Sequence, residues 1–291
     1  MKYVITGATG HLGRLVVEAL LERGVPADQI VAVGRALDRL SDLADRGVQV
    51  RAVDYNDVSS LREAFLDAQK VLLVSSSEVG QRTSQHQNVI NAAKDAGVDL
   101  LVYTSIANAD SAGLQLAAEH LATEKLLADS GLPHALLRNS WYLENYTNQL
   151  AAFLGQGAVL GSAGNGRLSA ATRADYAEAA ALVLISDDQA GRIYEFGGDE
   201  AFTLAELAQR VAEASGRSVV YRDLPANEYT QALVGAGLPE RYAAILADSD
   251  LGIARGDLLV TTGDLSRVLG RPTISMPDAV QAALASADVP A

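Results

Sequence analysis

The sequence predicts an α/β fold: a doubly wound parallel sheet followed by a smaller, mainly helical lobe. Three observations predict it. Short apolar runs alternate with helix-periodic stretches through the first half of the chain, several of those stretches stop at glycine, and the rhythm changes after about residue 150. The apolar runs occupy residues 3–6, 30–33, 49–53, 70–74, 100–104 and 134–138. Each is rich in Val, Leu or Ile without strict polar alternation, the pattern of strands covered on both faces. Amphipathic stretches such as residues 12–23 and 116–128 lie between them, and Gly24, Gly47, Gly97 and Gly131 sit where a helix would stop and a strand begin. Repeated strand–helix alternation implies a parallel sheet with right-handed crossovers.

Beyond residue 150 the glycines cluster. Gly155, Gly157, Gly161, Gly164 and Gly166 lack the Gly-Lys-Ser/Thr ending of a phosphate loop, so they read as turns of a hairpin. Thr172 with Asp175, and Thr203 with Glu206, each place a hydroxyl three residues ahead of a carboxylate at the head of an apolar helix. The last hundred residues hold few strand runs. The expected division is a sheet domain over residues 1–150 and a smaller, substrate-binding lobe over 151–291, some of whose strands can rejoin the main sheet.

Composition removes several classes of function. A chain of 291 residues, 49% hydrophobic, has ample core to fold alone. Its net charge of −13 repels nucleic acid and anionic membranes, and an anionic ligand would need cations placed locally. The lack of cysteine excludes disulfides, thiolate nucleophiles, iron–sulfur clusters and cysteine zinc sites. The four histidines, His11, His86, His120 and His134, are spaced too widely for a metal-binding pair on one helical face, and no metal is expected. His86 and His120 read as satisfied surface or boundary residues. No Gly-x-Ser-x-Gly elbow occurs, which argues against a serine hydrolase. The first residues break into glycine without a signal-peptide core, and no apolar stretch reaches membrane-spanning length, so a soluble cytoplasmic protein is expected. The oligomeric state is left open.

The turn after the first strand reads Gly7-Ala8-Thr9-Gly10-His11-Leu12-Gly13. Glycine admits positive φ and lets backbone N–H groups approach a pyrophosphate, while the helix that follows directs its positive end at the same place. Together with the alternating pattern, this makes the sheet Rossmann-type and predicts a bound dinucleotide. The tip of the second strand, Val33-Gly34-Arg35, has no carboxylate for a ribose diol. Arg35 offers a guanidinium suited to a 2′-phosphate, so NADPH is favoured. Asp54, after the third strand, suits either an adenine contact or a turn. Ser75, Ser76 and Ser77 follow the fourth strand, where the chain would pass the ribose and nicotinamide.

These residues, with the continuation Glu78-Val79-Gly80-Gln81-Arg82, the group Glu119, His120, Thr123, Glu124 and Lys125, and Leu137-Arg138-Asn139-Ser140-Trp141-Tyr142, resemble the NmrA-like atypical short-chain dehydrogenases. The likeness continues through residues 171–176 and 247–250 and covers nearly the whole chain. Within the family the chain is most similar to the NADPH:quinone oxidoreductases and more distantly to the triphenylmethane reductases. The resemblance implies that cofactor lies along residues 7–13, Arg35, Ser75–Ser77 and the stretch Asn139, Ser140, Trp141 and Tyr142, with Arg173 touching it. Lys125 falls in register with the lysine of the superfamily's Tyr-x-x-x-Lys motif, whose tyrosine position holds Leu121.

That departure shapes the expected chemistry. Reducing an ordinary ketone needs an acid beside the carbonyl, typically a phenol. A quinone needs less help, because its reduced oxyanion is comparatively stable. Direct hydride transfer from NADPH to a quinone or similar electrophilic acceptor, without flavin, is therefore expected, accelerated by positioning. Asn145 is the first candidate to donate a hydrogen bond to the quinone oxygen and Tyr142 the second. The region from about 221 to 255 would shape the acceptor pocket. Dye or azo reduction, and a cofactor-binding sensor without turnover, are the alternatives.

Overall fold

The computed structural model describes residues 1–286. Seven parallel strands make the main sheet: β1 (Tyr3–Ile5), β2 (Ile30–Gly34), β3 (Gln49–Ala52), β4 (Lys70–Leu73), β5 (Leu100–Ile106), β6 (His134–Asn139) and, after β7 (Ala158–Gly161), β8 (Ile193–Phe196). Their order is β3-β2-β1-β4-β5-β6-β8, and β7 pairs with β9 (Val220–Asp223) in a separate two-stranded sheet. Helices α1 (His11–Glu22), α2 (Ser41–Asp45), α3 (Val58–Ala64), α4 (Arg82–Ala96) and α5 (Gln115–Ser130) link the first six strands. Then come α6 (Glu144–Thr147), α7 (Leu150–Gln156), α8 (Arg173–Ile185), α9 (Leu204–Ser215), α10 (Ala226–Gly235), α11 (Glu240–Arg255), α12 (Asp264–Leu269) and α13 (Met276–Ser286).

Strand alternation explains the layering. Val4, Val31, Val71 and Leu101 face one side and pack with Leu61 and Phe65 near α3, Val89 and Ile90 of α4 and Leu127 of α5. Ile5, Ala32, Leu72 and Val102 face the other side and meet Val16, Val17 and Leu20 of α1 and Tyr176, Ala180 and Leu184 of α8. Both faces being covered, β1, β2, β4 and β5 are buried along their whole length. Each fully buried Val or Leu contributes about 1.5–3 kcal/mol relative to exposure. A third core, with Tyr146, Phe153, Val159, Phe202, Val211 and Ile253 in it, fills the lobe beyond β6.

The chain after residue 150 does not stay in that lobe. Helix α8 packs on α1, β8 extends the main sheet beside β6, and α12 sits against both. Thr172 caps α8 by accepting from the Asp175 N–H, and Thr203 and Glu206 complete a reciprocal capping box on α9. Such caps are worth about 1 kcal/mol each. The hairpin expected from the glycine cluster is not formed. Gly157 terminates α7 in the left-handed region, and β7 runs parallel to β9 with Ala158 opposite Val220. Gly161 is there for closeness instead, since a Cβ would fall 2.7 Å from Asp250 Oδ2 and 2.8 Å from Leu204 Cδ1. Among the described residues no helix is long and apolar enough to cross a membrane.

Candidate functional site

The chain leaves β1 for β2 and β3 on one side, then returns to place β4 on the other, so a crevice opens at the carboxyl ends of β1 and β4. Gly7 turns the chain there at φ +61°, and the Ala8 N–H is held by the Val33 carbonyl at 2.9 Å. Gly13, one turn later, lets α1 press onto that bend: a Cβ would lie 2.5 Å from the Gly7 oxygen. Helix α1 starts without a side-chain cap and without an acid in its first turn. Its orphan N–H groups and positive end therefore favour an anion. They open onto a cavity of about 460 Å³.

Twelve of the residues proposed from sequence come together on its wall: Gly7, Thr9, Gly10, His11, Leu12, Gly13, Arg35, Ser75, Ser76, Ser77, Tyr142 and Arg173. Asp54 also lines it, while its Oδ1 accepts from Asn56 N at 2.9 Å, so it is at once a turn residue and a wall residue. The cationic side chains on the wall are Arg35, Arg82 and Arg173, set against the carboxylates of Asp54 and Glu78, so the wall is locally positive in a chain of net −13.

The serine run is clamped from beneath. Ser75 N donates to Thr104 Oγ1 at 2.9 Å, Ser76 N to His86 Nε2 at 3.0 Å, and Arg82 Nε to the Ser76 carbonyl at 2.7 Å. Because His86 Nε2 accepts, its proton resides on Nδ1, which meets Thr123 Oγ1 at 2.9 Å. His120 Nδ1 meets the Tyr103 hydroxyl at 2.8 Å. The surface or boundary placement expected for His86 and His120 is thus overturned: both are buried, because the inner faces of α4 and α5 pack polar rings against β5 and the serine loop. Burial, with Arg82 nearby, lowers His86 to about 3 and holds His120 well below the usual imidazole range. Tyr55 was also missed from sequence. It lines the cavity, and its hydroxyl ties the strand tips together by bonding Val74 O at 2.9 Å and Thr6 Oγ1 at 2.5 Å.

At the far end, the Arg173 guanidinium lies 4.7 Å above the Tyr142 ring and donates through Nη2 to Asn145 Oδ1 at 3.0 Å. Tyr142 meets Tyr176 edge to face, and burial raises its phenol above the ordinary range. Asn145 stands one residue into α6, joined to the wall through Arg173 without itself lining the cavity.

Other proposed residues are not brought to the wall. Lys125 is exposed on α5, outside the cavity lining. The neighbouring Glu124 takes the inward register, accepting from Ser105 Oγ at 2.6 Å and from Arg138 Nη2 at 2.7 Å. Leu121 shares the outward face with Lys125. Asn139 is buried at the end of β6 with its Oδ1 unpartnered, and the Ser140 hydroxyl donates to the Leu258 carbonyl at 2.8 Å. Trp141 packs against the lobe core.

Similar proteins cluster around this architecture. A sequence profile described as NAD(P)H-binding matches residues 7–187. Quinone oxidoreductase 2 of Escherichia coli is 48% identical over 276 residues, 95% of this chain and 96% of that protein. The crystal structure of the E. coli NADPH-dependent quinone oxidoreductase complexed with NADPH superposes with a TM-score of 0.94 at 47% identity, covering 97% of this chain and 99% of that one. The Citrobacter sp. triphenylmethane reductase complexed with NADP(H) gives a TM-score of 0.92 at 36% identity, over 97% of this chain and all of that one. With its glycine turn, its switch-point cavity and a matching relative along nearly its whole length, the chain belongs to the NmrA-like NAD(P)H-binding family.

Proposed function

We propose that this protein is an NADPH-dependent quinone reductase that works without flavin. The observation that carries the reading is the cation-lined cavity at the switch point, in a chain 48% identical across its length to a quinone oxidoreductase. The residues fit the cofactor. Gly13 leaves a cradle that a Cβ would fill, the first turn of α1 has orphan N–H groups, and Arg35 follows a β2 strand that ends without a carboxylate of its own for a ribose diol.

When bound, the nicotinamide supplies the hydride. The glycine turn and α1 hold the pyrophosphate, Arg35 takes the 2′-phosphate, and Ser75–Ser77 line the ribose side. Tyr142 keeps its proton, since burial raises its phenol, and closes the cavity as a packed ring rather than as an acid. Asn145 donates to the quinone oxygen. In support, its Oδ1 is already occupied by Arg173, which leaves Nδ2 as the free donor. With leucine at 121 and no phenol of lowered pKa on the wall, the site suits an acceptor whose reduced oxyanion is already stable. Holding donor and acceptor in near-attack geometry supplies the acceleration.

Titration with NADPH and NADH, followed by a small benzoquinone while nicotinamide absorbance is recorded, tests this directly. The expected result is quinone-dependent oxidation, much faster with NADPH, and a preference that narrows in Arg35→Ala. Tight binding without oxidation by any quinone or dye would make the protein a sensor. Failure to bind either nucleotide would overturn the proposal.

A further inference from the structure

Arg35 does not wait open for a phosphate. Its Nη1 lies 2.5 Å from Glu78 Oε1, and both side chains line the cavity. Arg35 stands at the tip of β2 and Glu78 on the loop that follows β4, while β1, with its glycine turn, runs between those two strands. The ion pair therefore reaches from one side of the crevice to the other. Glu78 is braced on its second oxygen as well: Gln85 Nε2 donates to Oε2 at 2.9 Å, and Gln85, buried on α4, accepts through Oε1 from the Ser76 hydroxyl at 2.5 Å. The Glu78 N–H in turn donates to that hydroxyl at 3.1 Å. A carboxylate fixed in this way offers Arg35 the charge and the acceptor geometry that a phosphate would offer.

We infer that Glu78 is a built-in competitor for the 2′-phosphate, a carboxylate that occupies the Arg35 guanidinium in the free protein and must be displaced when NADPH binds. This rests on the reading of Arg35 as the 2′-phosphate residue. An NADH-type ribose carries no charge to exchange for the carboxylate, so it leaves the Arg35–Glu78 pair intact. Glu78 thereby sets how strongly NADPH is preferred and keeps the arginine from capturing unrelated anions. Exposure of the pair, with the Arg35 side chain 63% accessible, keeps the effect modest. An exposed ion pair contributes up to about 1 kcal/mol, which is roughly a two- to fivefold change in Kd.

Calorimetric titration of the full chain with 2′,5′-ADP and with 5′-ADP separates the possibilities without turnover. Glu78→Gln should bind 2′,5′-ADP about two- to fivefold more tightly and 5′-ADP unchanged, with the difference shrinking as salt rises. In the Arg35→Ala background, adding Glu78→Gln should change neither affinity. Unchanged or weaker 2′,5′-ADP binding in Glu78→Gln would overturn the inference. So would equal tightening of both ligands, because the pair would then obstruct the crevice rather than mimic the phosphate. Failure of the Arg35 reading looks different: Arg35→Ala alone would still prefer 2′,5′-ADP as strongly as the parent. A melting temperature for each variant establishes that it is folded, and Glu78→Asp, which keeps the charge on a shorter arm, should fall between parent and Glu78→Gln.

Discussion

Adding one methyl group at Gly13 sets two local effects against each other. Gly13 lies in the first turn of α1, where alanine is intrinsically the better helix former by about 0.8–1 kcal/mol. Against this, the new Cβ would stand 2.5 Å from the Gly7 oxygen, 2.7 Å from its carbonyl carbon and 2.9 Å from Ala8 N. Those atoms are backbone and cannot rotate aside, so the bend or the helix start must shift by more than half an ångström. Forced shifts of that kind cost about 1–3 kcal/mol, which exceeds the gain in propensity. Set against the gain in helix propensity, the net loss of stability should be about 0–2 kcal/mol, with the bend displaced. Binding must push it back, so NADPH Kd should rise by about five- to 150-fold. The single tryptophan, Trp141, neighbours the cavity residue Tyr142 and gives an intrinsic fluorescence signal for the titration. Gly155→Ala is the control. It lies in α7 outside the cavity lining, and its Cβ would meet nothing within 4 Å, so its Kd should stay within about twofold of the parent. Gly13→Ala binding NADPH within about twofold of the parent would refute the steric account of the glycine turn.

Three further outcomes follow from the same geometry. Asn145→Ala should lower kcat/KM for quinone by about tenfold or more while leaving NADPH binding nearly intact; full retention would remove Asn145 from the mechanism. Arg138→Met strands Glu124, which is 6% exposed and would keep only Ser105 as a partner, so the variant should lose about 3–5 kcal/mol in urea unfolding, and Arg138→Met with Glu124→Gln should recover part of that. For His86 the folded-state pKa, about 3, lies below the usual unfolded value of about 6.5, so its neutral form is the one the fold favours. Its contribution is complete above pH about 6.5 and is lost as pH falls toward about 3, at up to about 1.4 kcal/mol per pH unit. His86→Gln should flatten the stability curve across that window, and an unchanged curve would show that His86 is not the group being protonated.

The main sheet was legible because its signals are local. Valine-rich runs, glycine stops and the turn at residues 7–13 each act within a few residues, and they locate the cavity as well as the fold. What stayed hidden depends on contacts distant in sequence. The inner face of α4 begins with Arg82, Gln85 and His86, so the apolar stripe that Val89, Ile90 and Ala93 form does not announce that its first turns are buried too. On α5, a family register pointed to Lys125, whereas packing turned Glu124 inward to meet Arg138 from β6, a choice between adjacent residues that depends on the strand opposite. Nor did the glycines at 157–166 reveal that their strand would pair in parallel with one about sixty residues later. The Arg35–Glu78 contact, 43 residues apart, was equally invisible although both residues had been singled out.

The order in which the chain visits its cores has a mechanical meaning. Residues 143–170 contribute to the lobe core, 171–196 to the sheet core, 202–260 to the lobe again, 265–269 to the sheet, and 276–280 to the lobe once more. With the earlier excursion of residues 106–117 into the lobe core, the two bodies are sutured by seven covalent passages rather than hung on one linker. A single hinge can swing; seven stitched seams shear but do not gape, and a lone proteolytic nick at one seam would leave the others holding.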